Sequence, residues 1–122
     1  MKNKINIPEY YVSEFNKLFR DVIESNFGYV RIRGEISEIK TATKGQIYLT
    51  LKDDDSILSA VIWESKKKYL KFFPELGSEV IATGIITTWS RYKTTYQIDI
   101  DKLEIAGEGA LLKLIEDRKK KT

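Results

Sequence analysis

The stretch from Gly28 to Trp63 constrains the fold more than any other part of the chain. It contains three runs in which apolar and polar residues alternate, separated by short polar segments. In the second run, for example, Ile47, Leu49 and Leu51 alternate with polar or aromatic residues. Alternation with a period of two indicates strands with one buried and one exposed face. The sequence therefore predicts three consecutive strands whose outer face carries basic and aromatic side chains.

Two further strands are predicted later in the chain. The fourth follows Gly77, and in the fifth Tyr96, Ile98 and Ile100 are predicted to face inward. Gly34 in the first strand and Gly84 in the fourth interrupt the pattern at inward positions, where a glycine is typical of a bulge or a sharp bend. Strongly bent strands are what a small closed barrel requires.

An amphipathic helix is predicted over residues 13–26, ahead of the first strand. Ser13 is a good N-cap residue, and Gly28 is a typical helix stop. Because the sheet is the only large apolar surface nearby, we expect the apolar stripe of the helix to pack on it. The stripe consists of Phe15, Leu18, Phe19, Val22 and Ile23.

Two more helices are predicted, one internal and one near the C-terminus. The run from Ser65 to Phe73, closed by Pro74, favours a short helix with Tyr69, Leu70 and Phe73 inward, covering one end of a barrel. After Gly107 and Gly109 a second helical stripe begins, with Leu111, Leu112, Leu114 and Ile115. Either it leads into a further domain or it packs on this one. The predicted division is a domain at residues 1–106 and a linker with the start of a helix at residues 107–122.

These elements together predict a fold class. Five strands, a helix between the third and fourth, and polar loops after the first and fourth are typical of the OB fold, a mainly β Greek-key barrel. In this fold ligands bind the outer face of the second and third strands, between those two loops. Both loops are basic here, at 40–44 and 89–94.

Composition excludes several classes of function. The 122 residues include no Cys and no His, which rules out disulfides, Cys/His zinc sites and every catalytic arrangement that depends on His. We expect no cofactor and no metal, since Asp53, Asp54 and Asp55 are typical of a solvated turn and lack a calcium-loop pattern. No signal peptide and no apolar run of membrane-spanning length occur, so we expect a soluble, cytoplasmic chain without a membrane partner. The net charge of +3 is compatible with nucleic acid but decides nothing by itself.

The outer face carries the residue types that bind single-stranded nucleic acid, which are cations for phosphates and aromatic rings for base stacking. The aromatic candidates are Tyr48, Trp63, Trp89 and Tyr92, and the basic candidates predicted to surround them are Arg31, Arg33, Lys44, Lys52, Arg91 and Lys93. Each has a structural alternative: Tyr48 as an ordinary sheet aromatic and Trp63 beneath the short helix, for instance. Tyr29 is expected to support the N-terminal helix, and Lys66 to Lys68 form a secondary candidate.

Several segments, read in order, resemble a known family. YYVSEFN, VRIRGEIS, GQIYLTLKDDD, LSAVIW and the GxGAL turn at Gly107 to Leu111 are similar to the N-terminal domain of the large subunit of bacterial exodeoxyribonuclease VII. The resemblance implies a metal-independent nuclease that degrades single-stranded DNA from both ends to short oligonucleotides, together with several copies of a small subunit. It also implies that this domain grips the strand while a following domain cleaves it, so the chain alone should bind and not cleave.

The resemblance also implies roles for individual residues. It gives Trp63 a DNA-facing position, with Tyr48 and the loop at 90–95 as neighbours. Two positions depart from the family, because Glu64 stands where relatives are often basic and Arg31 where they are often aromatic. Two alternatives remain open: an RNA-binding OB module of the aminoacyl-tRNA synthetase type, and a barrel that binds an acidic protein partner or self-associates around Ile81, Ile85 and the C-terminal stripe.

Overall fold

The computed structural model describes residues 6–107 and contains a closed five-stranded barrel. The order of strands around the barrel is β1-β2-β3-β5-β4; β3 and β5 run parallel, and the other neighbouring strands are antiparallel. The mainly β Greek-key barrel is therefore confirmed. The elements are α1 (Val12–Phe27), β1 (Tyr29–Thr41), β2 (Ile47–Lys52), β3 (Ile57–Ile62), a 3-10 helix (Glu64–Tyr69), β4 (Glu79–Trp89) and β5 (Thr95–Ile105). The predicted C-terminal helix lies outside the described residues, and the domain boundary stays a prediction.

The core consists of the inward-facing apolar side chains of all five strands, as the alternation predicted, except that Leu103 was not among the predicted inward residues. Its members are Ile36, Ile47, Leu49, Leu51, Ala60, Ile62, Val80, Ala82, Ile98, Ile100 and Leu103. The pairing of β4 with β5 does shift register beside Gly84, but the extra residue is Asp101 of β5, because Thr83 pairs with Lys102 and Gly84 with Ile100. The bulge predicted at Gly84 therefore lies in the partner strand, and Gly84 is the site of a close approach. A Cβ atom at Gly84 would lie only 2.0 Å from the carbonyl oxygen of Asp99. The strands approach too closely there for any other residue.

The bend of β1 lies three residues away from its predicted position. Ile36 pairs with Leu51 and Glu38 pairs with Thr50, so Ser37 is the extra residue of a bulge. The inserted residue shifts the alternation by one, and both Ile36 and Ile39 therefore face the core. The bulge predicted at Gly34 is wrong. Gly34 instead allows β1 to approach β2, because its Cβ would lie 3.1 Å from the Lys52 carbonyl oxygen.

The N-cap of helix α1 lies two residues before the predicted one, Ser13. The N-cap is Tyr11, whose backbone N–H donates to Glu14 Oε1 at 2.8 Å, so the prediction of Ser13 as N-cap is wrong. The stop at Gly28 is confirmed, with φ of 55°, a conformation that glycine adopts without strain. No helix within residues 6–107 is long and apolar enough to span a lipid bilayer.

The packing of α1 differs from the expectation. The helix contacts β4 through half-buried Asn16, Arg20 and Ile23, and Arg20 Nε donates to Thr88 Oγ1 at 3.3 Å. Most of the predicted stripe is turned away from this contact. The exposures of Phe15, Leu18, Phe19 and Val22 lie between 43% and 50%. The helix does contact the sheet, as expected, but of the predicted stripe only Ile23 is half-buried, because the contact is shared with Asn16 and Arg20 on a neighbouring face of the helix.

The segment between β3 and β4 is a 3-10 helix over Glu64–Tyr69 in place of the helix predicted to reach Phe73. The chain becomes extended at Leu70, with φ of −70° and ψ of 132°. Extended backbone directs alternate side chains to one side, so Leu70 and Phe72 pack against the core. Tyr69 and Phe73, predicted to face inward, are exposed.

The turn between β2 and β3 is organised by one carboxylate. Asp53 Oδ1 accepts hydrogen bonds from the backbone N–H groups of Asp55 and Ser56, both at 2.9 Å. These bonds, to Asp55 and then Ser56, lower the pKa of Asp53 because they favour its charged form. The predicted tight turn is confirmed.

Candidate nucleic-acid interface

An open groove of about 440 Å³ lies on the outer face of the barrel. The second half of β1, together with β2, β3, β5 and the β4–β5 loop, contributes its walls. Its lining includes basic, aromatic and amide side chains, those of Lys40, Tyr48, Trp89, Tyr92, Lys93 and Gln97. The groove lies at the place where OB folds bind ligands.

The register of the strands explains the floor of the groove. Glu38 pairs with Thr50, Thr50 with Ser59, and Ser59 with Gln97. The four side chains therefore form a polar row across β1, β2, β3 and β5, and all four line the groove. Such a row can donate and accept hydrogen bonds with the edges of unpaired bases.

Aromatic rings and cations surround this row. Trp89 is 46% exposed and Tyr92 is 83% exposed. Tyr48 is half-buried, and its hydroxyl oxygen accepts a hydrogen bond from Gln46 Nε2 at 3.2 Å. The guanidinium carbon of Arg91 lies 5.4 Å from the centre of the Tyr92 ring, within cation–π distance. Lys40 and Lys93 line the groove beside these rings. The groove thus combines stacking surfaces with positive charge.

Trp63 lies on the same outer face but outside the groove lining. It lies two residues after Val61, on the same face of β3. Val61 is fully buried and pairs with Tyr48 of β2 on one side and Asp99 of β5 on the other. Trp63 is 38% exposed, and its indole N–H donates to Asp99 Oδ2 at 2.9 Å. The ring is therefore held at the end of β3 with part of its surface free for contact.

A second carboxylate of β5, Asp101, interacts with Lys66 and Tyr29. Lys66 pairs with Asp101. The hydrogen bond to Asp101 raises the pKa of Lys66, while hydrogen bonds from Lys66 and Tyr29 lower the pKa of Asp101. The hydrogen bond to Asp101 also raises the pKa of the Tyr29 hydroxyl. Tyr29 is 64% exposed, and the expectation that it supports the N-terminal helix stays a prediction.

Three of the predicted basic residues lie on another side of the barrel. Arg31 pairs with Glu104 at 3.5 Å, Arg33 with Glu79 at 2.5 Å, and Lys52 with Glu35 at 3.7 Å. For Arg31 and Arg33 the reason is the length of β1, whose first half pairs with β4 and whose second half alone borders the groove. Lys52 is the last residue of β2 and pairs with Glu35 in that first half of β1. The prediction that these three cations surround the aromatic residues is therefore wrong.

The loop between β1 and β2 carries the remaining predicted cation, Lys44, which is exposed. The next residue, Gly45, has φ of 101°, and a Cβ there would lie 2.6 Å from Glu64 Cγ. Glu64, the position that departs from the family, thus packs against this loop. The sequence analysis missed Lys40 and Gln97 as groove residues. Lys40 could have been found from the three-residue spacing of Ile36 and Ile39. That spacing implies a bulge, and after the bulge the even-numbered residues, including Lys40, face outward.

Comparisons with known proteins agree with this geometry. The model of a family described as OB-fold nucleic acid binding domain matches residues 10–104. The exodeoxyribonuclease 7 large subunits of Bartonella bacilliformis and Rhodospirillum centenum are 51% and 43% identical to the chain, over 117 and 116 residues. Each match covers 95% of this chain, and the chain spans 24% and 22% of the length of these relatives.

Among solved structures, asparaginyl-tRNA synthetase from Pyrococcus horikoshii, complexed with asparaginyl-adenylate, superposes with a TM-score of 0.51. The two chains are 23% identical, and the match covers 82% of this chain and 22% of the synthetase. At this identity the likeness concerns the fold alone. Since the family model spans most of the chain, the chain belongs to the family of OB-fold nucleic acid binding domains, and its resemblance to the large subunit of exodeoxyribonuclease VII is confirmed.

Proposed function

We propose that this chain binds single-stranded DNA in the groove on its outer face. The observation that carries the proposal is the presence of Tyr48, Trp89 and Tyr92 in or beside one groove with Lys40 and Lys93. Aromatic faces stack on bases only when the bases are unpaired, so this arrangement favours a single strand over a duplex. The choice of DNA over RNA rests on the relatives, which are named exodeoxyribonucleases.

In the proposed complex different residues of the groove and the loops beside it contact the phosphates, the faces of the bases and the edges of the bases. Lys40, Lys44, Arg91 and Lys93 contact phosphates, while bases stack on Tyr48 and Trp89. The polar row of Thr50, Ser59 and Gln97 contacts base edges. Trp63 extends the aromatic track beyond Val61, with its ring orientation set by Asp99.

We further propose that the chain is the strand-gripping part of a longer nuclease of the exodeoxyribonuclease VII type, acting on single-stranded DNA in the cytoplasm with a small subunit as partner. The relatives are about four times as long as this chain, which leaves room for a separate catalytic region. On this proposal the chain alone binds DNA without cleaving it. Incubation of a labelled strand with the chain alone should leave the strand at its original length, whereas shortening would contradict this part.

The binding proposal is tested by fluorescence anisotropy with a labelled oligo-dT, a matching duplex and a structured RNA. We expect the single DNA strand to bind most tightly. Tyr48→Ala and Trp89→Ala should each weaken binding about 5-fold or more, because one stacked base is worth roughly 1–3 kcal/mol. Tyr69→Ala is the matched control, since Tyr69 is an exposed aromatic residue outside the groove. Trp63→Ala tests whether the track reaches the end of β3.

Other outcomes would favour the alternatives. Tighter binding of the structured RNA would indicate a module of the synthetase type. Absence of binding to every oligonucleotide, even at low salt, would contradict the proposal and favour a protein-binding barrel. In that case self-association should depend on the surface around Ile81 and Ile85.

A further inference from the structure

A second crevice, of about 350 Å³, lies between α1 and the hairpin formed by β4 and β5. Asn16 and Phe19 line it from the helix, and Thr88, Trp89, Ser90 and Tyr96 line it from the hairpin. Its volume falls within the range of about 300–1,000 Å³ typical of small-ligand sites. The crevice was not predicted from the sequence, and it forms only because α1 packs beside the barrel.

The crevice exists because of the way α1 is attached. The hydrogen bond from Arg20 to Thr88 and the contact face of Asn16, Arg20 and Ile23 hold the helix beside β4. Phe19 is thereby placed at the edge of the contact, where it stays 49% exposed. Tyr96 occupies an inward position of β5 by alternation, but it is 59% exposed and lines the crevice. The prediction that Tyr96 faces the core is wrong, because Tyr96 lies beyond the core at the end of the strand.

The crevice adjoins the groove. Trp89 and Thr95, which pair with each other across the hairpin, line both. A strand that stacks on Trp89 in the groove and continues past its ring reaches the crevice.

The chemistry of the crevice suits a nucleobase. Three aromatic side chains offer faces for stacking, and the Asn16 amide can both donate and accept hydrogen bonds at a base edge. A purely apolar protein segment would leave the amide and the hydroxyl groups of Ser90 and Thr94 unpaired.

We propose that this crevice is a second base-binding site, which takes an unpaired base from the same single strand just beyond Trp89. The inference rests on the proposed function, since it needs a strand in the groove. It assigns α1 a binding role outside the usual OB face. It also predicts that the binding footprint is longer than the groove alone would give.

The test is a binding series with oligo-dT of increasing length, from about 3 to 12 nucleotides, a range chosen because OB folds occupy about 4–16 nucleotides. Phe19→Ala should weaken binding of the longer oligonucleotides about 5-fold or more and leave the shortest ones unaffected. Tyr96→Ala, which alters the opposite wall, should show the same dependence on length. Val22→Ala is the matched control, because Val22 lies on the same helix with similar exposure and outside the crevice.

The outcomes separate this inference from the proposed function. If Tyr48→Ala weakens binding while Phe19→Ala and Tyr96→Ala match wild type at every length, the groove binds DNA and the crevice does not. If Phe19→Ala weakens all lengths equally, the crevice has no separate base and the inference is overturned. Changed self-association of Phe19→Ala with unchanged DNA binding would assign the crevice to a protein contact, which also overturns it. Failure of wild type to bind any oligonucleotide would refute the proposed function first.

Discussion

The dependence of binding on salt distinguishes a strand held in the groove from one held over the whole basic surface. Each phosphate contact to a single strand releases a counterion and contributes about −0.7 to the slope of log K against log salt. Four cations lie in the groove or in the loops beside it: Lys40, Lys44, Arg91 and Lys93. Arg31, Arg33 and Lys52 instead pair with glutamates on another side of the barrel.

The two footprints predict different magnitudes. Four contacts give a slope of about −2.8, so affinity should fall about 50-fold between 50 and 200 mM salt. Seven contacts, including the three paired cations, would give a slope of about −4.9 and a fall of about 1,000-fold. The structure supports the smaller value, because each of the three paired cations already has a carboxylate partner.

The assay is an anisotropy titration with oligo-dT at several salt concentrations, using wild type, Lys93→Ala and Arg33→Ala. We expect Lys93→Ala to weaken binding and to make the slope less steep by about 0.7. Arg33→Ala should leave both quantities unchanged, and its exposed ion pair with Glu79 contributes little to stability. A wild-type slope near the larger value, or a change in slope with Arg33→Ala, would refute the reasoning.

Two further predictions concern the fold. Gly84→Ala should lower the free energy of unfolding by about 1–3 kcal/mol or more, since the new Cβ would lie 2.0 Å from the Asp99 carbonyl oxygen. Urea unfolding measures this change. An unchanged free energy of unfolding would contradict the close approach of the two strands. Asp53→Ala should destabilise the chain at neutral pH and not in strong acid, because a lowered pKa contributes stability that is present above the unfolded pKa and lost as pH falls through the folded pKa. Thermal unfolding against pH tests it with Asp54→Ala as control, and an equal effect of Asp53→Ala at all pH values would count against a role for its charge.

The strands could be predicted from the sequence because a half-buried sheet leaves a period-two pattern. Ile47, Leu49 and Leu51 carry that pattern without interruption, and all three are in the core. The bulge in β1 was misplaced because Gly34 is a conspicuous residue, whereas the bulged Ser37 has no distinctive chemistry. The three-residue spacing of the inward-facing Ile36 and Ile39 does indicate the bulge, because regular alternation would put them on opposite faces.

The helix faces and the basic residues were harder to predict, because both depend on tertiary placement. The stripe from Phe15 to Val22 has the periodicity of a packed helix, yet α1 contacts β4 through Asn16, Arg20 and Ile23. Likewise, alternation correctly indicated that Arg31 and Arg33 face outward, but a closed barrel has outer surface on every side. Only the pairing of β1 first with β4 and then with β2 determines which outward residues reach the groove.

The aromatic residues were predicted more successfully than the cations. Tyr48 was located by its strand, and Trp89 and Tyr92 by their loop between two predicted strands. Trp63 was assigned to the correct face, but its hydrogen bond to Asp99 depends on the parallel pairing of β3 with β5. That pairing joins strands more than thirty residues apart, and no local pattern reveals it.

Photocrosslinking with an oligonucleotide that carries 5-iododeoxyuridine, followed by mass spectrometry of the crosslinked peptides, tests the central claim most directly. The account predicts crosslinks at Tyr48, Trp89 and Tyr92, with yields that fall when unlabelled oligo-dT competes. Tyr69 and Tyr11, which are also exposed but lie outside the groove, serve as internal controls. Crosslinks concentrated at those two residues, with none at the groove aromatics, would contradict the claim that the single strand is bound there.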